Sequence, residues 1–153
     1  MDTAFDIIRK PRIDLIKKVK ELSAEQLNHV PPGFNNNIAW NLGHLVATQQ
    51  GICYVRAGLG LKVDESFYLL YKAGSRPAGL IDEKGISNIY DLLVSTIDEF
   101  EADYKHSMFT NYTAWTTRSG IEINDIDTLL RFLPYHDGLH AGTIAALAKI
   151  VTQ

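Results

Sequence analysis

The sequence holds one cysteine, Cys53, five prolines and two tryptophans in 153 residues. A lone cysteine forms no internal disulfide and cannot supply the paired thiolates of a cysteine-based zinc module. A reducing cytoplasm is the expected setting. No apolar run approaches the roughly 20 residues that a membrane-spanning helix needs. The N-terminal segment, Met1 to Asp6, has no basic stretch followed by an apolar core, so no signal peptide is expected. Positive charge is not in surplus: 15 Lys and Arg stand against 18 Asp and Glu, a net charge of -3. That balance argues against a nucleic-acid partner, which calls for clustered Lys and Arg. What remains is an ordinary globular composition, 46% hydrophobic and 22% charged, of a length that suits a single domain over residues 1–153.

Helical periodicity dominates. Phe5, Ile8, Arg12, Leu15, Ile16, Val19 and Leu22 recur at spacings of three and four, which predicts a first helix to about Leu22. Pro11 lies inside it and predicts a kink or a restart. Arg9, Lys10, Arg12, Lys17, Lys18 and Lys20, interrupted by Asp6, Asp14 and Glu21, read as a solvated helix face. Ser23 with Gln26 fits a capping box for one short extra turn before Pro31-Pro32-Gly33. A second helix is expected from Asn35–Asn37 to about Arg56, ended by Gly58 and Gly60. Leu61 to Gly85, with four glycines and prolines, predicts a long loop containing a short helix or two. Ser87 is the expected cap of a third helix with Ile89, Leu93, Thr96, Ile97, Phe100 and Tyr104 on its buried stripe. Trp115–Thr117 and Ile121–Ile123 around Arg118-Ser119-Gly120 predict a small hairpin. Asn124 or Asp125 caps a last helix that runs nearly to the C-terminus. The fold class expected is all-α, a four-helix bundle.

The histidines carry the chemistry. His136 and His140 are four residues apart, so both lie on one helix face, one turn apart. Phe132, Leu133, Thr143, Ile144 and Leu147 share that side, which places the pair on an apolar, core-facing stripe. Buried imidazoles need partners. From the spacing alone, a hydrogen-bonded pair and a shared metal ion both remain open. Residues 141–153 contain no His, Asp, Glu or Cys, so a third ligand must come from upstream. Asn37, Asn41, His44 and Thr48 follow a 4-3-4 spacing on one face of the second helix, and His44 is the natural candidate. Cys53, nine residues on, points about half a turn away and reads as a small core residue. Three neutral imidazoles leave positions open for water or substrate, as in a catalytic site, and suit zinc, nickel, copper or iron. Asn41, Thr48 and Asp137 are candidates to orient a ligand or substrate. Asp137 also stands where an HExxH protease has its general-base Glu. Tyr54, Phe67, Tyr68 and Tyr71 line either a channel or the core. His29 and His106 read as surface.

Ile38-Ala39-Trp40-Asn41-Leu42-Gly43-His44-Leu45 resembles the second-helix motif of the DinB-like superfamily of metalloenzymes. His136-Asp137-Gly138-Leu139-His140-Ala141-Gly142 resembles its HxxxHxG motif, and the segment around Gly74-Ser75-Arg76-Pro77 resembles its variable connection. The resemblance spans the chain. It implies a four-helix bundle with a long crossover and a metal held by His44, His136 and His140, zinc or nickel being the expected ions. It further implies chemistry on a small molecule, most often transfer to or from a low-molecular-weight thiol, and a homodimer. A metal-dependent hydrolase and a non-catalytic small-molecule-binding or stress protein are the alternatives. Pro134, just before the second motif, would free the carbonyl of Leu130 and kink the last helix near the site.

Overall fold

A computed structural model describes residues 3–153; Met1 and Asp2, which open the N-terminal segment read above, lie outside the described residues. Four long helices make a bundle: α1 (Thr3–Val19), α3 (Ile38–Gln49), α5 (Glu83–Lys105) and α6 (Ile126–Val151). Short helices α2 (Ala24–Asn28) and α4 (Glu65–Tyr71) lie on the connections, and a hairpin of β1 (Trp115–Thr116) and β2 (Glu122–Ile123) precedes α6. Ser23 and Gln26 form the capping box of α2. Beyond Gln49 the second long helix widens into a π-helical turn, Gln50–Tyr54. It then tightens into a 3-10 turn, Val55–Ala57, and stops at Gly58 in the left-handed region at φ 70.

The helices pack in a ring, α1 against α5, α5 against α3, α3 against α6 and α6 against α1. Two apolar clusters fill it. One joins Leu15 and Val19, Ile38 to Ala47, Ile86 to Leu93, and Ile144 with Leu147. The other joins Phe5 and Ile8, Cys53 and Tyr54, Ile97 and Phe100, and Leu129 to Leu133. Helices α1 and α6 thus run from the second cluster to the first, and α3 and α5 run the opposite way. Because α3 and α5 are parallel neighbours, the chain must return along the bundle between them. Residues 58–82, carrying α4, are that long crossover. Helix α3 is wrapped on all sides: every residue from Ile38 to Gln49 is buried except Thr48.

Several expectations need correction. Helix α1 continues through Pro11 as one element, without a restart. Pro11 is exposed, and Ile7, whose carbonyl it leaves free, is 53% exposed, so water can satisfy that group. Helix α6 likewise runs unbroken through Pro134. Helix α5 starts five residues earlier than the Ser87 cap would allow. Asp82 is the cap, accepting from the Gly85 amide. The Asn28 side chain grips both backbone groups of Ile81 and fixes the entry to that turn, which brings Ile86 into the core. The largest correction concerns the basic face of α1. Arg12 is 0% exposed, and Arg9 is largely covered by Asp6, Asp98 and Glu101.

Candidate metal centre

Arg12 lies between the two apolar clusters and reaches the other three long helices. Its Nε donates to Asp137 Oδ2 on α6 at 2.7 Å, its Nη1 to Gln49 Oε1 on α3 at 2.9 Å and its Nη2 to the Leu45 carbonyl at 3.2 Å. A weaker contact at 3.4 Å reaches the Leu93 carbonyl on α5. Gln49 Nε2 donates to the Thr96 carbonyl, and Thr96 Oγ1 donates toward Gln49 Oε1. A buried guanidinium is tolerable only when paired and hydrogen-bonded, and this layer supplies both. Burial pushes the Asp137 carboxyl up, but Arg12 outweighs it and holds the group below the usual carboxylate range. Asp137, exposed in neither direction, is therefore a fixed anion inside the bundle.

Beside this layer, His44, His136 and His140 converge: a ligand nitrogen of each lies within 4.8 Å of the others. The buried line of α6 runs through Leu130, Leu133, Asp137, Ile144 and Leu147. His136 and His140 lie at its edge, half-buried, rather than on the core-facing stripe. That offset leaves the rings of His136 and His140 partly exposed.

Each ring is oriented by the chain. His44 stacks on Trp40 with centroids 4.5 Å apart. Its Nδ1 lies 2.7 Å from the Tyr71 carbonyl, which can only accept, so Nδ1 carries the proton and Nε2 keeps its lone pair. That contact depends on Gly43. A Cβ there would sit 2.5 Å from the Tyr71 ring, so only glycine lets α4 dock this closely on α3. His140 Nδ1 lies 2.8 Å from Asn41 Oδ1. Asn41 Nδ2 donates to the Asn37 carbonyl at 2.7 Å, which fixes which amide atom faces the ring. His140 thus also presents Nε2. His136 Nδ1 and Asp137 Oδ1 are buried, 3.5 Å apart and without hydrogen bonds. They are complementary, a ring donor facing a carboxylate acceptor, and such a carboxylate–histidine contact is the usual support for a metal-binding imidazole. Thr48 Oγ1 stands 3.1 Å from His44 Nε2.

The electrostatics keep these lone pairs available. Burial, followed by repulsion from His136 and His44, pushes His140 down to about 4. Burial also lowers His44, against the pull of its bond to the Tyr71 carbonyl. His44 and His140, neutral and with Nδ1 occupied, join His136 in the set of nitrogen donors that a divalent ion requires. The residues fit such an ion.

The other sequence candidates separate cleanly. Cys53 is fully buried in the second apolar cluster. Tyr54 packs there too, its hydroxyl donating to Asp103, so it lines no channel to the histidines. Tyr68 and Tyr71, on the crossover, flank the site. His29 and His106 are exposed and distant from the cluster in the fold, His106 bonding back to its own helix. The residue that sequence reasoning missed is Arg12. Its signal was present, because it occupies a position in the Phe5, Ile8, Leu15, Val19 series that otherwise faces the core.

A helical bundle whose second and last long helices bring three imidazoles onto one point defines a class of metal-binding fold. A sequence profile described as the DinB superfamily matches residues 9–144, and the chain belongs to that superfamily. No curated protein sequence matches the chain.

Proposed function

We propose that this protein is a metal-dependent enzyme that transfers a small thiol, with His44, His136 and His140 holding a zinc or nickel ion. The observation that carries this reading is the convergence of three oriented imidazoles at a half-exposed edge of the bundle. Three nitrogen ligands leave positions open for a reacting molecule. An ion held there would lower the pKa of a bound thiol or water and supply a nucleophile near neutral pH. The chain itself does the positioning. Asn41 and the Tyr71 carbonyl hold two of the rings, and the Thr48 hydroxyl offers a hydrogen bond beside them. Cys53 cannot serve as the sulfur, because it is fully buried and burial pushes its thiol well up. The thiol is therefore a separate small molecule. A reducing cytoplasm and a homodimer belong to the same proposal. No helix among the described residues is long and apolar enough to cross a membrane.

Peptide hydrolysis in the HExxH manner is disfavoured by one observation: Asp137, in the general-base position, is buried and bonded to Arg12. A closed structural ion in a non-catalytic protein is disfavoured by the exposure of His136 and His140. The test is thioether formation from cysteine and 1-chloro-2,4-dinitrobenzene by tag-free protein, stripped and then reloaded with zinc or nickel. Turnover above the spontaneous rate is expected only after reloading, and not with His44→Ala. Equal rates before and after reloading would contradict the proposal.

A further inference from the structure

A cavity of about 430 Å³ opens beside Thr48, lined also by Gly51, Arg56, Tyr68 and Lys72, and among the described residues no carboxylate lines it. Its position follows from the fold. The π-helical turn at Gln50–Tyr54 carries Gly51 and shifts the register of the helix, bringing Arg56 to the cavity wall. Gly51 keeps this wall clear: a Cβ there would crowd the Tyr68 hydroxyl, at 3.0 Å. Among the described residues, that hydroxyl has no hydrogen-bond partner, and neither Arg56 nor Lys72 is paired with an acid. This contrasts with Arg9 and Arg12, whose charges are answered by carboxylates. The Arg56 guanidinium is instead held over the face of Trp115, 4.8 Å from its centre, an arrangement that fixes the plane and leaves its donors free. The inner wall is Thr48, whose hydroxyl touches His44.

We infer that this cavity binds the carboxylate end of the small-molecule substrate. The carboxylate pairs with Arg56 and Lys72, and the reacting end extends past Thr48 toward the three histidines. The inference rests on the proposed function and adds the substrate class, a carboxylate-bearing small molecule. A planar guanidinium pre-set on an aromatic ring matches a carboxylate through two parallel N–H donors, and Lys72 adds a mobile second charge. The Tyr68 hydroxyl offers a further hydrogen bond to the bound molecule.

The test uses N-acetylcysteine and N-acetylcysteine amide, which share a thiol and differ in the carboxylate. Cobalt-loaded full-length protein is titrated with each, following both the heat of binding and the thiolate–cobalt absorption band. Wild type should bind the carboxylate form roughly tenfold or more tightly, the worth of one charge-assisted contact. The preference should shrink as salt rises. Arg56→Gln/Lys72→Gln should bind both forms alike with unchanged circular dichroism. Lys72→Gln alone, on an exposed side chain, should lose part of the preference and guards against a folding defect in the double variant. Equal affinity for both forms in wild type would overturn the inference, as would no detectable binding of either at millimolar concentration. A carboxylate preference in the heat with no cobalt band for either form would uphold the cavity and overturn the thiol-transfer reading.

Discussion

Helix α6 carries two polar sites side by side, and they differ in what they leave over. Around Arg12 and Asp137 the guanidinium is spent: its donors go to Asp137, Gln49 and backbone carbonyls, and all three side chains are buried. Around His44, His136 and His140 the Nδ1 atoms of two rings are spent, the Thr48 hydroxyl is the one group that meets a remaining lone pair among the described residues, at His44 Nε2, and two rings reach solvent. The first arrangement closes a core; the second keeps nitrogen donors that could hold an ion. A buried polar group alone therefore says little about function. Its unspent valence and its access to solvent say much more. The two sites meet at the His136–Asp137 step, where the anion fixed by Arg12 faces a ring nitrogen.

The sharpest break between them comes from removing Arg12. Arg12→Ala leaves Asp137 buried without its cation, which should cost about 3–5 kcal/mol of stability. Urea unfolding reads this directly. A loss below about 1 kcal/mol, the value of an exposed pair, would mean that the layer is more hydrated than its burial indicates.

Asn41→Ala tests the other site at the level of support rather than ligation. It removes the acceptor that orients His140, and such losses lower metal affinity roughly 10- to 100-fold. Competition with a chromophoric chelator measures it. Because Asn41 also ties to the Asn37 carbonyl at the start of α3, a modest fall in melting temperature should accompany it. Unchanged affinity would remove Asn41 from the account.

The two sites should also titrate in different windows. Unfolded imidazoles take up protons near pH 6.5, whereas His140 is held down to about 4 and His44 is lowered. As pH falls, the unfolded chain protonates first, so metal-stripped protein should lose stability progressively from about 6.5 toward about 4. Asp137 is depressed, so its contribution is fully present above the ordinary Asp value near 3.9 and is lost only below it. Thermal midpoints of stripped protein across this range check both. His140→Ala should flatten the upper window and spare the lower one.

Much of this could be read in the chain before the fold was in hand, and the parts that could not share a cause. The i, i+4 histidine pair, the Asn41–His44–Thr48 face, the Ser23 capping box and the Trp115–Ile123 hairpin are local patterns, and local patterns survive folding. Arg12 was misread because its charge was grouped with Lys10 and Lys17, although its spacing placed it with Phe5, Ile8 and Leu15. Only the partners on α3 and α6, distant in sequence, make that position habitable for a cation. The start of α5 at Asp82 depends on Asn28, also distant in sequence. The contribution of Tyr71 to His44 comes from a backbone carbonyl, which no side-chain pattern announces.

The central claim is that the three histidines hold an ion without being needed for the fold. It is tested most directly by elemental analysis of tag-free wild type and His140→Ala, with helical circular dichroism recorded on both and on metal-stripped wild type. The account predicts about one divalent ion per wild-type chain and loss of most of it in the variant, with the helical signal unchanged in all three, because the bundle rests on its apolar clusters. Unchanged metal stoichiometry in His140→Ala would contradict the ligand assignment, and collapse of helicity on stripping the wild type would contradict a site built for chemistry.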